Sequence, residues 1–324
     1  MRGTVVGVLR GGPSSEHEVS LRSGHAVLTN IPEDRFTARD IYIARDGVWH
    51  ERGKPTTPAR VLPSIDVAIV VLHGVYGEDG EVQKLLEKFG VPYTGADPWA
   101  SHVSAHKVMA KEIVRRAGLL TPRYRFIERE ELMDSIIEDA VRSFHQPMVV
   151  KPVDAGSSVG VSLVGGYADV HRAVANLLAE SPRGVMIEEL VRGTEATVGI
   201  VEGLRGEELY ALPPIEIVPP ATADFFSYDA KYSGESREIC PGRFKRDVRD
   251  ALMEAARTAH RELGLRHYSR SDFIVSPKGI YYLETNNAAA VGMTAESLLP
   301  KSLESVGVSL PDFLTHLIDR TVRT

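Results

Sequence analysis

The segment Ser269-Arg270-Ser271-Asp272-Phe273-Ile274-Val275-Ser276-Pro277-Lys278-Gly279-Ile280-Tyr281-Tyr282-Leu283-Glu284-Thr285-Asn286 reads as two β-strands around a turn at Pro277-Lys278-Gly279. Proline fixes φ for a type I turn, and glycine takes the left-handed position that ends a three-residue hairpin loop. That loop pairs Ser276 with Ile280, which sets Asp272 opposite Glu284 and Arg270 opposite Asn286. Side chains alternate faces with period two, so these four share one face. Two carboxylates, an amide oxygen and a guanidinium on one face suit Mg²⁺ ions bridging phosphates, with the cationic side chain helping to neutralise charge. The same pattern also describes a solvated polar face, and the rest of the chain has to decide between the two.

The 324 residues fit two or three domains packed as one enzyme-sized unit. A hydrophobic fraction of 43% with 25% charged residues is ordinary soluble globular composition. The net charge of −6 argues against nucleic acid or an anionic membrane as the main partner. Phosphate binding must then come from local Lys and Arg. A single cysteine, Cys240, excludes an intrachain disulfide and a multi-cysteine metal site, and suits a reducing cytoplasm. The start, Met1 to Val5, runs into a strand without a signal-peptide core. The longest apolar run, Val67 to Leu72, is far shorter than the roughly 18 residues that span a bilayer.

Thr4–Leu9 is a β-rich run ending in Gly11-Gly12, and Ser15 to Glu18 has capping-box spacing before a helix that reaches about residue 30. Val67–Leu72 is a second buried strand, followed by the glycine-rich loop His73 to Gly80 and a helix over Glu81–Phe89. Strand, loop and helix repeated twice imply parallel βα units, so residues 1–96 form an α/β domain. Residues 97–184 read as a smaller α+β domain: a long helix Trp99–Ala117, a strand near Pro122–Ile127, a helix Glu128–Arg142, a strand Pro147–Pro152, the turn Gly156 to Gly160 and a strand through Val164. Residues 185–324 hold further strands, a helix Lys245–Leu263, the hairpin and a closing helix from Pro311. The loop of residues 221–243 is long enough to act as a lid.

Gly156-Ser157-Ser158-Val159-Gly160 lies between two strands, five residues after Lys151. Glycines let backbone N–H groups converge on phosphate oxygens, serines add donors and Lys151 adds charge. The turn is neither a Walker A loop nor a Rossmann fingerprint, and a Gly/Ser hairpin turn alone is commonplace. Glu16 in a first helical turn suits the helix dipole, and it equally suits an ammonium ligand. His73 ends a strand in a glycine-rich loop, where binding residues collect, although a lone histidine is more often structural. Lys231 and Tyr232 sit in the long loop.

Taken in order, Gly11 to Ser20, His73 to Gly80, Pro92 to Gly95, Lys107, Lys151-Pro152, Gly156 to Gly160, Glu188 to Glu195, Tyr228 to Tyr232, Arg270 to Asp272, Glu284 to Asn286 and Gly292 to Thr294 resemble the motifs of D-alanine–D-alanine ligases of the ATP-grasp superfamily. The resemblance covers nearly the whole chain. It implies a three-domain α/β (α+β) ATP-grasp fold whose first domain is Rossmann-like, with ATP between the central and C-terminal domains. On that resemblance Lys107, Lys151 and Lys231 would contact ATP phosphates, with Gly156 and Ser158 in the glycine turn over them. Glu188 to Val191 would hold the adenine and Glu195 the ribose. Asp272, Glu284 and Asn286 would hold two Mg²⁺ ions, or Mn²⁺. Glu16 would bind the first D-alanine's ammonium, in a hydrogen-bonded group with Ser157 and Tyr232, and His73 would lie near its carboxylate. Ser297 and Leu298 would bind the second substrate's carboxylate, and Arg270 with a backbone N–H near Gly292 would stabilise the oxyanion. A cytoplasmic homodimer acting on D-alanine and ATP, without nucleic acid or membrane partners, is the matching expectation.

One segment departs from the family pattern. Asn287-Ala288-Ala289-Ala290-Val291 stands before Gly292 with two extra residues and no proline. That leaves a different second substrate (D-serine, D-lactate or another) and a non-catalytic nucleotide-binding paralogue as alternatives. Tyr232 favours an amine nucleophile, since a phenylalanine there accompanies D-lactate use in the family.

Overall fold

Three β-sheets, each closed against helices, carry the chain. The computed structural model describes residues 3–128, 133–154, 156, 160–181, 183–219 and 237–323. The first sheet contains β1 (Thr4–Gly11), β2 (Phe36–Ile43), β3 (Trp49–Glu51), β4 (Lys54–Thr56) and β5 (Val67–Val70), in the order β4-β3-β2-β1-β5. β1 runs parallel to both β2 and β5, as the repeated βα pattern requires. All of β5 is buried, which is why it reads as an unbroken apolar run.

The helix His17–Asn30 starts one turn after the first glycine pair, but without the expected capping box. Its N-cap is Glu16, whose side chain makes no capping bond. Ser14 does the local work instead: its hydroxyl donates to the carbonyl of His73 (2.5 Å) and accepts from the N–H of Glu16 (3.2 Å).

The second sheet is antiparallel, in the order β6-β9-β7-β8, from β6 (Tyr124–Ile127), β7 (Met148–Pro152), β8 (Ser162–Val164) and β9 (Val185–Glu189). The helices Met133–Ser143 and Gly166–Glu180 bury Ile137, Ala140, Val170 and Val174 against it. Strand β9 thus lies past residue 184 and yet completes the central sheet.

The third sheet takes the remaining strands: β10 (Thr194–Glu202), β11 (Leu209–Ala211), β12 (Ile215–Val218), β13 (Arg237–Ile239), β14 (Tyr268–Ser276) and β15 (Gly279–Asn286). Its order is β13-β12-β10-β14-β15, with β11 beside β10. Residues 237–239, the C-terminal part of the expected loop, are therefore a strand paired with β12.

The long helix expected over Trp99–Ala117 is two helices, Pro98–Ala105 and Lys107–Arg116. The break falls at His106, which is extended (φ −102°, ψ 100°) and accepts the N–H of Met109 on its side chain. Both helices pack on the third sheet and the helix Arg246–Glu262, where Ala100, Val103, Ala110 and Val114 share a core with Val198, Ile200, Phe273 and Ala256. The closing helix Leu310–Arg323 packs back on the first sheet, Phe313 and Leu317 meeting Val6, Val8 and Ile69. Beginning and end of the chain thus share one core.

Candidate active site

The hairpin β14–β15 pairs Asp272 with Glu284 and Arg270 with Asn286, the partners read from the sequence. The route differs. Ser276 pairs with Gly279, so the turn holds only Pro277-Lys278, and the register shifts between Asp272 and Phe273. Phe273 pairs with Tyr282, which leaves Leu283 as the extra residue of a β-bulge. A shorter turn and a one-residue bulge cancel, and the four polar residues stay opposed.

Asp272 is the hub. Its carboxylate accepts from the Thr197 hydroxyl (2.5 Å), from Nε (3.2 Å) and Nη2 (3.1 Å) of Arg270, and from Nδ2 of Asn286 (3.1 Å). Asn286 uses its nitrogen here, so its carbonyl oxygen is the atom suited to ligate a cation. Glu284 pairs with Lys107 (3.1 Å). Burial works against the charge on Arg270, but Asp272 outweighs it and holds the guanidinium above its ordinary value. Among the described residues no group of three or more His, Cys, Asp or Glu is arranged to hold a metal ion. Asp272, Glu284 and Asn286 together offer two carboxylates and one amide oxygen, an all-oxygen set of the kind that suits Mg²⁺.

This face is one wall of a cleft of about 460 Å³ between the second and third sheets. Lys107, Lys151, Glu188, Val191, Glu195, Arg270, Asp272, Glu284 and Leu298 all line it. Val149 and Val161 give one wall an apolar patch, and Ile217, Ile274 and Leu283 give one to the other. The two walls join through Leu190-Val191-Arg192-Gly193, the short link from β9 to β10. An apolar slot beside a chain link, with lysines and carboxylates at its far end, has the polarity of a nucleotide.

Glu188 does not offer its carboxylate to that slot. It is 3% exposed, with one oxygen 2.7 Å from Lys111 Nζ and the other 2.5 Å from Lys151 Nζ. Burial resists its ionisation, yet the two ammonium groups hold it below the carboxylate range. Burial also pushes Lys111 down to about 8, with Glu188 opposing. Lys111 escaped the sequence reading, although it lies one turn after Lys107 on the same helix.

The other expected residues sit around the cleft's edge. Glu16, at the head of the helix His17–Asn30, approaches Gly156: a Cβ there would stand 3.1 Å from Glu16 Oε2. A side chain there would make that carboxylate give way by a few tenths of an ångström. His73 is buried, its Nε2 3.1 Å from Ser23 Oγ, which also takes the N–H of Met293 (3.4 Å). Gly292 packs on Ser297, whose Oγ would lie 2.6 Å from any Cβ there. Ser297 Oγ bonds Thr294 (2.9 Å) and precedes the helix Leu298–Ser305. Ser157, Ser158, Lys231 and Tyr232 lie outside the described residues.

A further acid joins the group. Glu78 accepts the Gly74 N–H (2.6 Å), and burial with the nearby Glu16 charge pushes its carboxyl up to about 8. It sits inside the His73 to Gly80 loop, so its position was legible but its role was not.

The divergent segment after Asn286 is a built element. Ala288–Ala290 form a 3₁₀ turn capped by Asn287, whose Oδ1 accepts the Ala289 N–H (3.1 Å). Asn287 Nδ2 donates to Glu78 O and Ser104 Oγ, both at 3.1 Å. Ala288 and Ala289 are buried, and Tyr268 donates its hydroxyl to Ala288 O (3.0 Å). Hydrogen bonds replace the missing proline as the restraint on this turn.

The chain has wide kinship. A family model described as "D-ala D-ala ligase C-terminus" matches residues 113–319, and one described as "D-ala D-ala ligase N-terminus" matches residues 5–63 and 50–96. The D-alanine–D-alanine ligase of Syntrophobacter fumaroxidans is 38% identical over 315 residues, 97% of this chain and 96% of that one. That of Anaeromyxobacter dehalogenans is 40% identical over 319 residues, covering 98% and 96%. Among solved structures, VanG D-Ala:D-Ser ligase from Enterococcus faecalis superposes with a TM-score of 0.87 at 28% identity, covering 99% of this chain and all (100%) of the other. The D-alanine–D-alanine ligase of Bacillus anthracis complexed with ATP gives 0.81 at 27% identity, covering 99% and 98%.

Proposed function

The chain belongs to the D-alanine–D-alanine ligase family, and we propose that the cleft between its second and third sheets carries that family's reaction. The protein is an ATP-dependent ligase of the ATP-grasp fold that joins two D-alanines for peptidoglycan synthesis. What supports the assignment of roles is one observation: Lys107, Lys151, Arg270, Asp272 and Glu284 converge on one cleft from both walls.

ATP lies with its base beside Leu190–Gly193 and its phosphates toward Lys107 and Lys151. Asp272, Glu284 and Asn286 hold magnesium, which supplies charge neutralisation at the phosphates when bound. Lys107, paired with Glu284, serves the same end from the protein. Glu16 takes the ammonium of the first D-alanine and His73 backs the loop against it. The carboxylate of that D-alanine attacks the γ-phosphorus, and ADP leaves with the electrons of the broken P–O bond. The neutral amine of the second D-alanine then attacks the carbonyl carbon of the acyl phosphate, and phosphate departs with the electrons of the broken C–O bond and takes up the proton that the nitrogen loses. Arg270 and the backbone near Gly292 hold the oxyanion, while Ser297 and Leu298 hold the second carboxylate. Ser157, Ser158, Lys231 and Tyr232 complete the proposal on sequence grounds.

The division into residues 1–96, 97–184 and 185–324 is part of this reading. Strand β9 adds to the central sheet, and the helices Pro98–Ala105 and Lys107–Arg116 add to the core of the third. Among the described residues no helix is long and apolar enough to cross a membrane. We place the enzyme in the cytoplasm as a homodimer, for which light scattering is the check.

The experiment is ADP release with ATP and Mg²⁺ across single and paired D-amino acids and D-lactate, with products identified by mass. D-alanyl-D-alanine as the dominant product is expected. A dominant D-alanyl-D-serine or depsipeptide product overturns the second-substrate assignment, and nucleotide binding without turnover overturns the catalytic one.

A further inference from the structure

The helix Leu298–Ser305 carries the proposed second-substrate residues at its start, and two different surfaces hold it. On one side Leu299 and Leu303 are buried, each 1% exposed, and Leu299 Cδ1 fills the space that a Cβ on Gly199 would need. Gly199 lies on β10. Apolar packing of this kind fixes distance from the sheet but resists rotation and sliding weakly, because it is non-directional. Directional contacts complete its hold. Ser302 Oγ donates to Pro213 O (2.8 Å), and Lys301 Nζ pairs with Glu238 Oε2 (2.6 Å). The Cys240 thiol reaches Lys301 O (3.6 Å). Glu238 is the middle residue of β13, opposite Ile217 of the cleft wall. Lys301 donates its own N–H to Ser297 O (3.2 Å), closing the first helical turn on the serine. Glu238 also adds to the field that keeps Arg270 charged.

We infer that the Lys301–Glu238 pair is a positioning pair for the second substrate, fixing Ser297 and Leu298 in relation to Arg270. The inference rests on the reading of Ser297 and Leu298 as the second carboxylate's site. Neither Lys301 nor Glu238 touches the cleft; they act through the helix that bears those two residues. Their side chains are 34% and 25% exposed, so the pair is screened and its effect is modest.

The test is steady-state kinetics at saturating ATP, fitting separate KM values for the first and second D-alanine. Lys301→Met and Glu238→Gln should each raise the second KM about fivefold. The KM for ATP and for the first D-alanine should stay within about twofold. Discrimination between D-alanine and D-serine as acceptor should fall with it. Lys301→Arg, which keeps the charge, should match the parent enzyme, and the exchanged pair Lys301→Glu with Glu238→Lys should recover most of the loss. An unchanged second KM, or an equal rise in all three, overturns the inference, and should the exchanged pair fail to fold, the single variants alone decide. Ser297→Ala separates the two levels. If it raises the second KM while the pair's variants do not, the positioning role fails and the site stands. If it too leaves that KM unchanged, the site assignment itself fails.

Discussion

Lys107 and Lys111 stand one turn apart on one helix and pair with carboxylates of different sheets. Lys107 reaches Glu284 on β15 (3.1 Å), and Lys111 reaches Glu188 on β9 (2.7 Å). A single helix therefore ties together the two sheets that flank the cleft.

Lys111→Met should destabilise the fold and weaken ATP use together. It leaves the buried Glu188 with Lys151 alone, which then stays bound to the carboxylate. Breaking a buried pair costs on the order of 3 kcal/mol. Urea unfolding should show that loss, and the KM for ATP should rise more than that for D-alanine. A KM for ATP equal to the parent's contradicts the idea.

Arg270→Ala should lower turnover by about 10²–10³ while changing ATP affinity little, because its target is charge that develops during the reaction. Nucleotide titration beside turnover separates the two. Equal losses in both would show that Arg270 serves binding through Asp272.

Removing two of Ala288–Ala290 and inserting proline should prove costly. Ala288 O accepts the Tyr268 hydroxyl and Asn287 ties Glu78 to Ser104. The shortened loop loses these bonds, so a drop in melting temperature and in turnover is expected. Asn287→Ala alone should cost about 1–2 kcal/mol, as lost caps do. A shortened enzyme with parent-like melting would show that the loop is dispensable.

Acid should unfold the protein earlier than its carboxylates require. His267 Nδ1 accepts the Gly95 N–H (2.9 Å), and burial pushes the imidazole down to about 4. Its folded value lies below the unfolded value of about 6.5. The stabilisation is therefore full above pH ~6.5 and is lost as pH falls from there to about 4, on the order of 3 kcal/mol. His267→Asn tolerates the left-handed backbone (φ +66°) and should flatten stability against pH across that window in urea titrations. An unchanged slope would assign the acid loss elsewhere.

The hairpin's pairing was legible because a period of two is robust. Asp272 still faces Glu284 although the turn is shorter and Leu283 bulges, since the two offsets cancel. The parallel β1 and β5 were legible from buried apolar runs. The break at His106 was not: both flanking helices keep helix-forming residues, and the interruption comes from where the chain must pack. Lys111 was hidden for a related reason. It occupies an inward position of its helix, where sequence alone gives no sign that a buried cation has Glu188 waiting. The alanine-rich insertion showed in the sequence only as two extra residues without proline, because the bonds that anchor it come from Ser104, Glu78 and Tyr268, far away in sequence.

The helices of residues 98–116 belong to a core whose other members, Val198, Ile200, Ala256 and Phe273, come much later in the chain. On the ribosome, Ala100, Val103, Ala110 and Val114 are made long before anything exists to cover them. Any fragment that stops after β9 exposes that apolar stripe, and the lysines it carries have only half of their partners. The cleft is thus among the last features of the molecule to exist during synthesis, and a nascent chain needs either protection or speed until its C-terminal sheet emerges.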